Sequence, residues 1–236
     1  MHKQTAEQCY ESVVANRYQY LDRARQCAKL TLPYIMPEEG FGPHSRLDTP
    51  FQGVGARGAN NLASKLLLAL LPPNAPFFRL NVDTYALKQE GAPDEMVSEI
   101  EASLQKMEEG VMDEISRETY RTVLHEVLKH LIITGNAMVY LPDEGGMRVF
   151  HLDRYVVERD PMGNPISMAT KETLSYASLS EEVKEAIGAT GDAIKEDCDL
   201  YTAVKLIDDK WHVWQDIKGI QIPDSYGIYP KNKCPF

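Results

Sequence analysis

Paired cysteines, long apolar runs and basic clusters are all missing from this chain, and each absence removes a class of function. The four cysteines, Cys9, Cys27, Cys198 and Cys234, form no CxxC and no metal-ligand spacing. They read as reduced thiols of an intracellular protein rather than as a disulfide framework or a zinc site. The longest greasy stretch, Leu66 to Leu71, is far too short to span a bilayer, so no membrane association is expected. The opening "MHKQTAEQCY" lacks the apolar core of a signal peptide, and no Asn-x-Ser/Thr acceptor occurs. No G-x-S-x-G and no histidine pattern suggests a catalytic triad. Net charge is −10, unevenly placed: residues 1–80 carry nine Lys and Arg against six Asp and Glu, the remainder sixteen against twenty-nine. Gripping a phosphate backbone requires lysines and arginines that displace counterions, and this balance runs the other way.

What is present is ordered periodicity. From about Thr5 to Leu32 apolar residues recur at three and four without Gly or Pro, which predicts a helix closed by Pro33 and Pro37. Thr49-Pro50 predicts the start of a second helix running to Leu71, with Leu62, Leu66 and Leu70 buried. "FFRLNV" (77–82) alternates like a short strand. Helices follow over 94–115 and from near Glu118, the latter with a stripe of Tyr120, Val123, Leu124, Val127, Leu128 and Leu131, closed by Gly135-Asn136. The texture then changes. "AMVYL" and "MRVFHL" flank "PDEGG", "YVVER" and "ISMAT" flank "DPMGNP", and "LYTAVKLI" and "WHVWQDI" flank Asp208-Asp209. Ser178-Leu-Ser-Glu181 reads as a capping box opening one short helix to about Gly188. The fold class is α+β: a helical N-terminal half (1–136), carrying most of the core, then a β-rich half (137–236) with one short helix.

Two motifs invite a chemical reading. "GVGARG" places Gly53, Gly55 and Gly58 in a literal G-x-G-x-x-G. A dinucleotide fingerprint needs a buried strand before the first glycine and an acid about twenty residues on. "HSRLDTPFQ" is no such strand, and Phe77-Phe78-Arg79 stand where the acid belongs. Glycines inside a helix cost about 1 kcal/mol each, so they are expected to permit close packing. "HEVLKH" (125–130) imitates a zinc helix, but its histidines are five apart and so diverge around the helix. Arg121, His125 and Lys129 are expected to form a solvated polar stripe, and the acids of "EIEASLQKMEEGVMDE" an exposed face. Trp211 and Trp214 read as core or interface. No cofactor, metal or catalytic residue is expected.

Several stretches together resemble the portal proteins of short-tailed phages, podoviruses with T7-like organisation. They are "YESVVANRYQYLDRARQCAKLTLPYIMP", "TPFQGVGARGANNLASKLLLALLPP", "LKHLIITGNAMVYLP", "YVVERDPMGN" and the terminal "YPKNKCPF". The resemblance covers the whole chain but only about the N-terminal half of a family member. It implies a non-enzymatic wing region of a head-to-tail connector, without the family's stem, clip and crown. It further implies a virion location at the portal vertex, host cytoplasm during assembly, and a homo-oligomeric, usually twelve-subunit ring. Its partners would be the major capsid and scaffold proteins, the terminase motor, tail or adaptor proteins, and double-stranded DNA passing without sequence-specific binding. Within the motif blocks the resemblance singles out Gly53, Gly55, Arg57, Gly58, Asn60, Asn61, Gly135 and Asn136 as structural positions. Two rivals stand beside it: a non-catalytic scaffold or adaptor with the same plan, and a nucleotide-binding enzyme built on Gly53, Gly55 and Gly58.

Overall fold

A computed structural model describes residues 4–38, 40–41, 45–73, 75–89, 91, 93–117, 119–142, 145–188 and 197–234. The N-terminal run is two helices, α1 (Ala6–Val14) and α2 (Tyr18–Leu30), joined by a 3-10 turn at Ala15–Arg17. Thr5 caps α1: its hydroxyl accepts from Gln8 N, and the Gln8 side chain accepts from Thr5 N, both at 3.2 Å. Next come α3 (Val54–Leu70), α4 (Thr84–Gln89), α5 (Asp94–Arg117) and α6 (Tyr120–Thr134). Gly135 ends α6 in the left-handed conformation at φ 76°, and its N–H donates to the Leu131 carbonyl, as a glycine C-cap should.

A small hairpin, β1 (Met138–Tyr140) with β2 (Arg148–Phe150), leads into the main sheet. That sheet runs β3 (Tyr155–Arg159), β4 (Pro165–Ser175), β5 (Asp197–Ile207), β6 (Lys210–Ile217), β7 (Ile220–Gln221), with β8 (Gly227–Pro230) also on β6. Every pairing is antiparallel. Asp208 and Asp209 both take positive φ, 50° and 58°, the geometry that lets a two-residue turn match the twist of β5 and β6. The short helix α7 (Glu181–Ala186) lies between β4 and β5.

Strand alternation sorts the core. The register places Val156, Ala169, Ala203 and Trp214 side by side across four strands. That row packs with Ala6, Cys9 and Tyr10 of α1. One residue on, Met168, Val204 and Trp211 form the core of the other face. The sheet thus takes the first helix of the chain as its cover. Asp216, buried on β6, accepts from the Ala6 N–H at the head of α1. Burial holds its carboxyl above the usual range, and that backbone bond works against the shift.

Several expectations are corrected. The second helix starts at Val54, not at Pro50, with Gly53 at its N-cap; residues 45–52 are irregular. The face of α3 toward the protein is built from Ala59 and Ala63, while Leu62 and Leu70 are exposed and Leu66 only half-buried. Alanines let α3 lie close to α6, which turns the longer leucines outward. Of the α6 stripe only Leu128 is buried, with Val123 and Leu124 half-buried. Residues 77–83 form no strand. Ser180, rather than Ser178, caps α7, accepting from Val183 N at 3.4 Å. The core does not concentrate in the helical half: of the eight largest fully buried side chains only Ile35 and His130 belong to it. Glu118, where the last helix was expected to begin, and positions 143–144 of "PDEGG" lie outside the described residues.

Candidate assembly surface

The glycine motif is a packing device at one position. Gly55 sits in the first turn of α3, directly against the end of α2. A Cβ added there would stand 2.6 Å from the Leu30 carbonyl oxygen and 3.1 Å from Thr31 Cγ2, so only glycine permits this approach. Gly53 and Gly58 meet nothing within 4 Å. Residues 45–52 ahead of Gly53 are irregular and the other two glycines lie inside α3, so these glycines do not sit on the strand-to-helix turn of a dinucleotide fingerprint. Arg57 and Asn61 are exposed; Asn60 is half-buried and its carbonyl accepts from Ser64 Oγ at 2.9 Å. Gly135 and Asn136 lie far along the chain, at the exit from α6, where the Asn136 carbonyl accepts from Thr134 Oγ1 at 2.8 Å. Gly55 against the end of α2 and Gly135-Asn136 at the end of α6 thus stand at two separate places in the described structure.

The polar stripe on α6 is not solvated as expected. Arg121 donates to the Pro72 carbonyl at 2.9 Å, and His125 Nε2 lies 3.1 Å from Ser64 Oγ on α3. Lys129 donates to Glu126 at 2.9 Å and to the Tyr34 hydroxyl at 3.2 Å. Burial opposes the Lys129 charge, yet these bonds raise its pKa; burial likewise opposes the Glu126 charge, and its bonds to Lys129 and Tyr34 hold that pKa down. His130 is 1% exposed and stands edge-on to His151, ring centroids 4.8 Å apart. Burial, then the neighbouring His151, push its pKa down to about 4, so it is neutral at physiological pH. The polar side chains of α6 are joints to Ser64 on α3, to the Pro72 carbonyl, to Tyr34 and to His151 just after β2. Among the described residues no group of three His, Cys, Asp or Glu has the geometry for a metal ion.

Exposed apolar side chains gather on two of the helices. Phe51 is fully exposed; Leu30 and Val54 line the same shallow groove as Phe51, and Leu62 and Leu68 stand out further along α3. On α5 only Val97 is buried, and Met96, Met107 and Val111 face outward. Isolated exposed apolar residues are ordinary; two helical faces of them are a candidate surface for association. The bacteriophage head-to-tail connecting protein model matches residues 3–236. The chain belongs to that family. It is 35% identical to the portal protein of Escherichia phage T7 over 98% of its own length and 45% of the relative's. The portal protein of Enterobacteria phage T3 is 34% identical over 98% and 44%, and that of Pseudomonas phage phiKMV 29% over 91% and 43%. The chain thus spans about half the length of the curated relatives it matches. In the sequence, Gly58, Asn61 and Lys65 stand among the leucines of α3, the signal of an exposed face that the expected burial of Leu62 and Leu70 passes over. Among the described residues no helix is long and apolar enough to cross a membrane.

Proposed function

We propose that this chain is the wing-forming part of a phage portal subunit, a ring-shaped connector at one capsid vertex. The observation that carries the reading is the family match over residues 3–236. The two outward apolar helical faces support it, since a ring subunit must present complementary surfaces on its flanks. The role is structural and non-catalytic. The finer picture is a twelve-subunit ring that meets the major capsid and scaffold proteins, a terminase motor and tail or adaptor proteins, assembled in the host cytoplasm and retained in the virion. Double-stranded DNA passes through it inward at packaging and outward at ejection.

A conduit must let DNA slide in both directions, and the acidic surface suits that task. Residues 81–236 carry sixteen Lys and Arg against twenty-nine Asp and Glu. Duplex DNA is expected to bind more weakly than about 10⁻⁶ M at physiological salt, without sequence preference. Fluorescence anisotropy with two unrelated duplexes measures this; submicromolar binding, or a preference, contradicts it. The decisive experiment for the whole reading is electron microscopy of the protein made with whatever sequence its gene carries beyond Phe236. Closed rings with a central channel are expected, and a protein that stays monomeric at assembly concentrations defeats the reading. Calorimetry with ATP and NAD separates the nucleotide-binding rival, for which one stoichiometric site would suffice.

A further inference from the structure

Two uncovered helical faces on one chain have the same spacing and opposite charge. On α3, Val54, Gly58, Asn61, Lys65 and Leu68 follow one another at four, three, four and three residues, with Leu62 beside them. All are exposed. On α5, Met96, Ile100, Ser103, Met107 and Gly110 repeat the same intervals, with Val111 and Glu114 continuing the stripe. Such spacing is that of helices which pack lengthwise on a partner helix. Met107 is 59% exposed and Val54 61%, so the described residues leave both stripes largely uncovered, with Ile100 half-buried. Each has gaps, at Gly58 and at Ser103 and Gly110, into which a facing side chain fits. Gly58 in particular has no atom within 4 Å of where a Cβ would stand.

The charges are complementary. α3 holds Arg57 and Lys65 and no acid, whereas α5 holds eight acids against Lys106 and Arg117. Two α5 faces would repel each other, as would two α3 faces. Opposite faces attract, which is the arrangement that fixes partner and register. A contact between different patches on identical subunits is heterologous, the kind that propagates around a ring.

We infer that the outward face of α3 on one copy packs against the outward stripe of α5 on the next copy, with Arg57 and Lys65 set among the α5 carboxylates. The inference rests on the ring reading and names the surfaces by which neighbouring wings would meet.

Cysteine cross-linking tests it on the chain as it stands. Cys27 is exposed and Cys234 half-buried, so both are first replaced by serine. Single variants Val54→Cys and Leu62→Cys are mixed in turn with Met96→Cys, Met107→Cys and Val111→Cys under mild oxidation. Met162, exposed on the turn after β3, supplies the Met162→Cys control. At least one mixed α3–α5 pair is expected to form covalent dimer about tenfold faster than either variant alone and than the control mixture. Lys65→Glu with Arg57→Glu is expected to slow that pair severalfold. Glu99→Lys with Glu114→Lys in the partner is expected to restore it, a rescue that a folding defect would not produce. If all six pairs form at the control rate, or charge reversal leaves a fast pair unchanged, the pairing is wrong. Rings by electron microscopy with control-rate cross-linking overturn this pairing alone. Selective cross-linking without rings spares the pairing and removes the ring.

Discussion

The sheet with α1 and the pair α3 and α5 solve opposite problems within one chain. Around the sheet both faces are covered: α1 fills one with Tyr10 and Cys9 against Tyr201 and Trp214, and Met168, Val204 and Trp211 form the other. On α3 the fully buried residues are two alanines, and on α5 a single valine, while several larger side chains look outward. The first region is complete in the monomer. The second leaves apolar side chains exposed, the division that the proposed ring subunit would need. In that proposal the sheet fixes where the outward helices stand, and the helices offer their apolar surface to a neighbouring copy.

The largest expected effect probes that contrast directly. Trp214 is 3% exposed in the row beneath α1, and Trp214→Ala is expected to cost about 3–5 kcal/mol. Leu62, though a leucine in a helix, is half-exposed, and Leu62→Ala is expected to change monomer stability by no more than about 0.5 kcal/mol. Chemical denaturation measures both. A loss at Leu62 comparable to that at Trp214 would put α3 in the interior and erase the distinction.

The seam between the regions is expected to be acid-sensitive. His130 on α6 is buried against His151, with Glu126 and Lys129 on its own helix and Asp153 among its charged neighbours. The fold holds its pKa near 4, whereas the unfolded chain protonates it near 6.5. As pH falls through that window the unfolded state binds the extra proton. Stability is therefore lost between about pH 6.5 and pH 4, by about 3 kcal/mol in all, and levels off below. Asp216 works in the opposite sense as pH falls toward 3.8, because its raised pKa makes the folded state bind its proton more readily. His130→Phe is expected to flatten the upper window. A wild-type melting temperature unchanged from pH 6.5 to 4.5 would show that the seam admits the charge freely.

The distinction between covered and uncovered regions was only half legible in the sequence. The period-two strands after Ala137, the Asp208-Asp209 turn and the Gly135 cap are local signals that the chain obeys, whereas the alternation of 77–82 is one it does not. Burial on a helix is a tertiary property. Leu62, Leu66 and Leu70 share a face with Ala59 by spacing, but which flank of that face turns inward depends on how closely α3 approaches α2 and α6. Gly55 and the alanines set that approach, and their small size gives no hydrophobic signal. The α6 polar stripe misled for a related reason: Arg121, His125 and Lys129 find partners on segments remote in sequence, including the Pro72 carbonyl and Ser64. A histidine spacing that rules out zinc does not reveal that His130 is buried.

Gly55 carries the next expected effect, and it lies where the outward helix is pinned to the scaffold. Gly55→Ala would press a methyl against the Leu30 carbonyl oxygen at 2.6 Å, a backbone atom that cannot swing aside. The loss is expected to be about 1–3 kcal/mol despite alanine's better helix propensity. Thermal or chemical unfolding reads it, and a neutral result would mean that α2 and α3 separate without cost.

The smallest effect is the most discriminating, because its two readouts are expected to move in opposite directions. Gly58 is three residues further along α3, one helical turn from Val54 and on the uncovered face. A Cβ there meets nothing within 4 Å, so Gly58→Ala costs the isolated chain no contact. It removes the conformational entropy that glycine carries in a helix and is expected to stabilise the monomer by about 0.5–1 kcal/mol. If the space above Gly58 is where a neighbouring copy's α5 seats a side chain, the same methyl narrows it. Self-association, read by the cross-linking rate or by sedimentation, then weakens while the melting temperature rises. A surface that serves only to be solvated responds differently: stability still rises, and association stays where it was. Were Gly58→Ala to destabilise the monomer instead, this part of α3 would be packed within the chain, and the line drawn between the finished sheet and the unfinished helices would have to move.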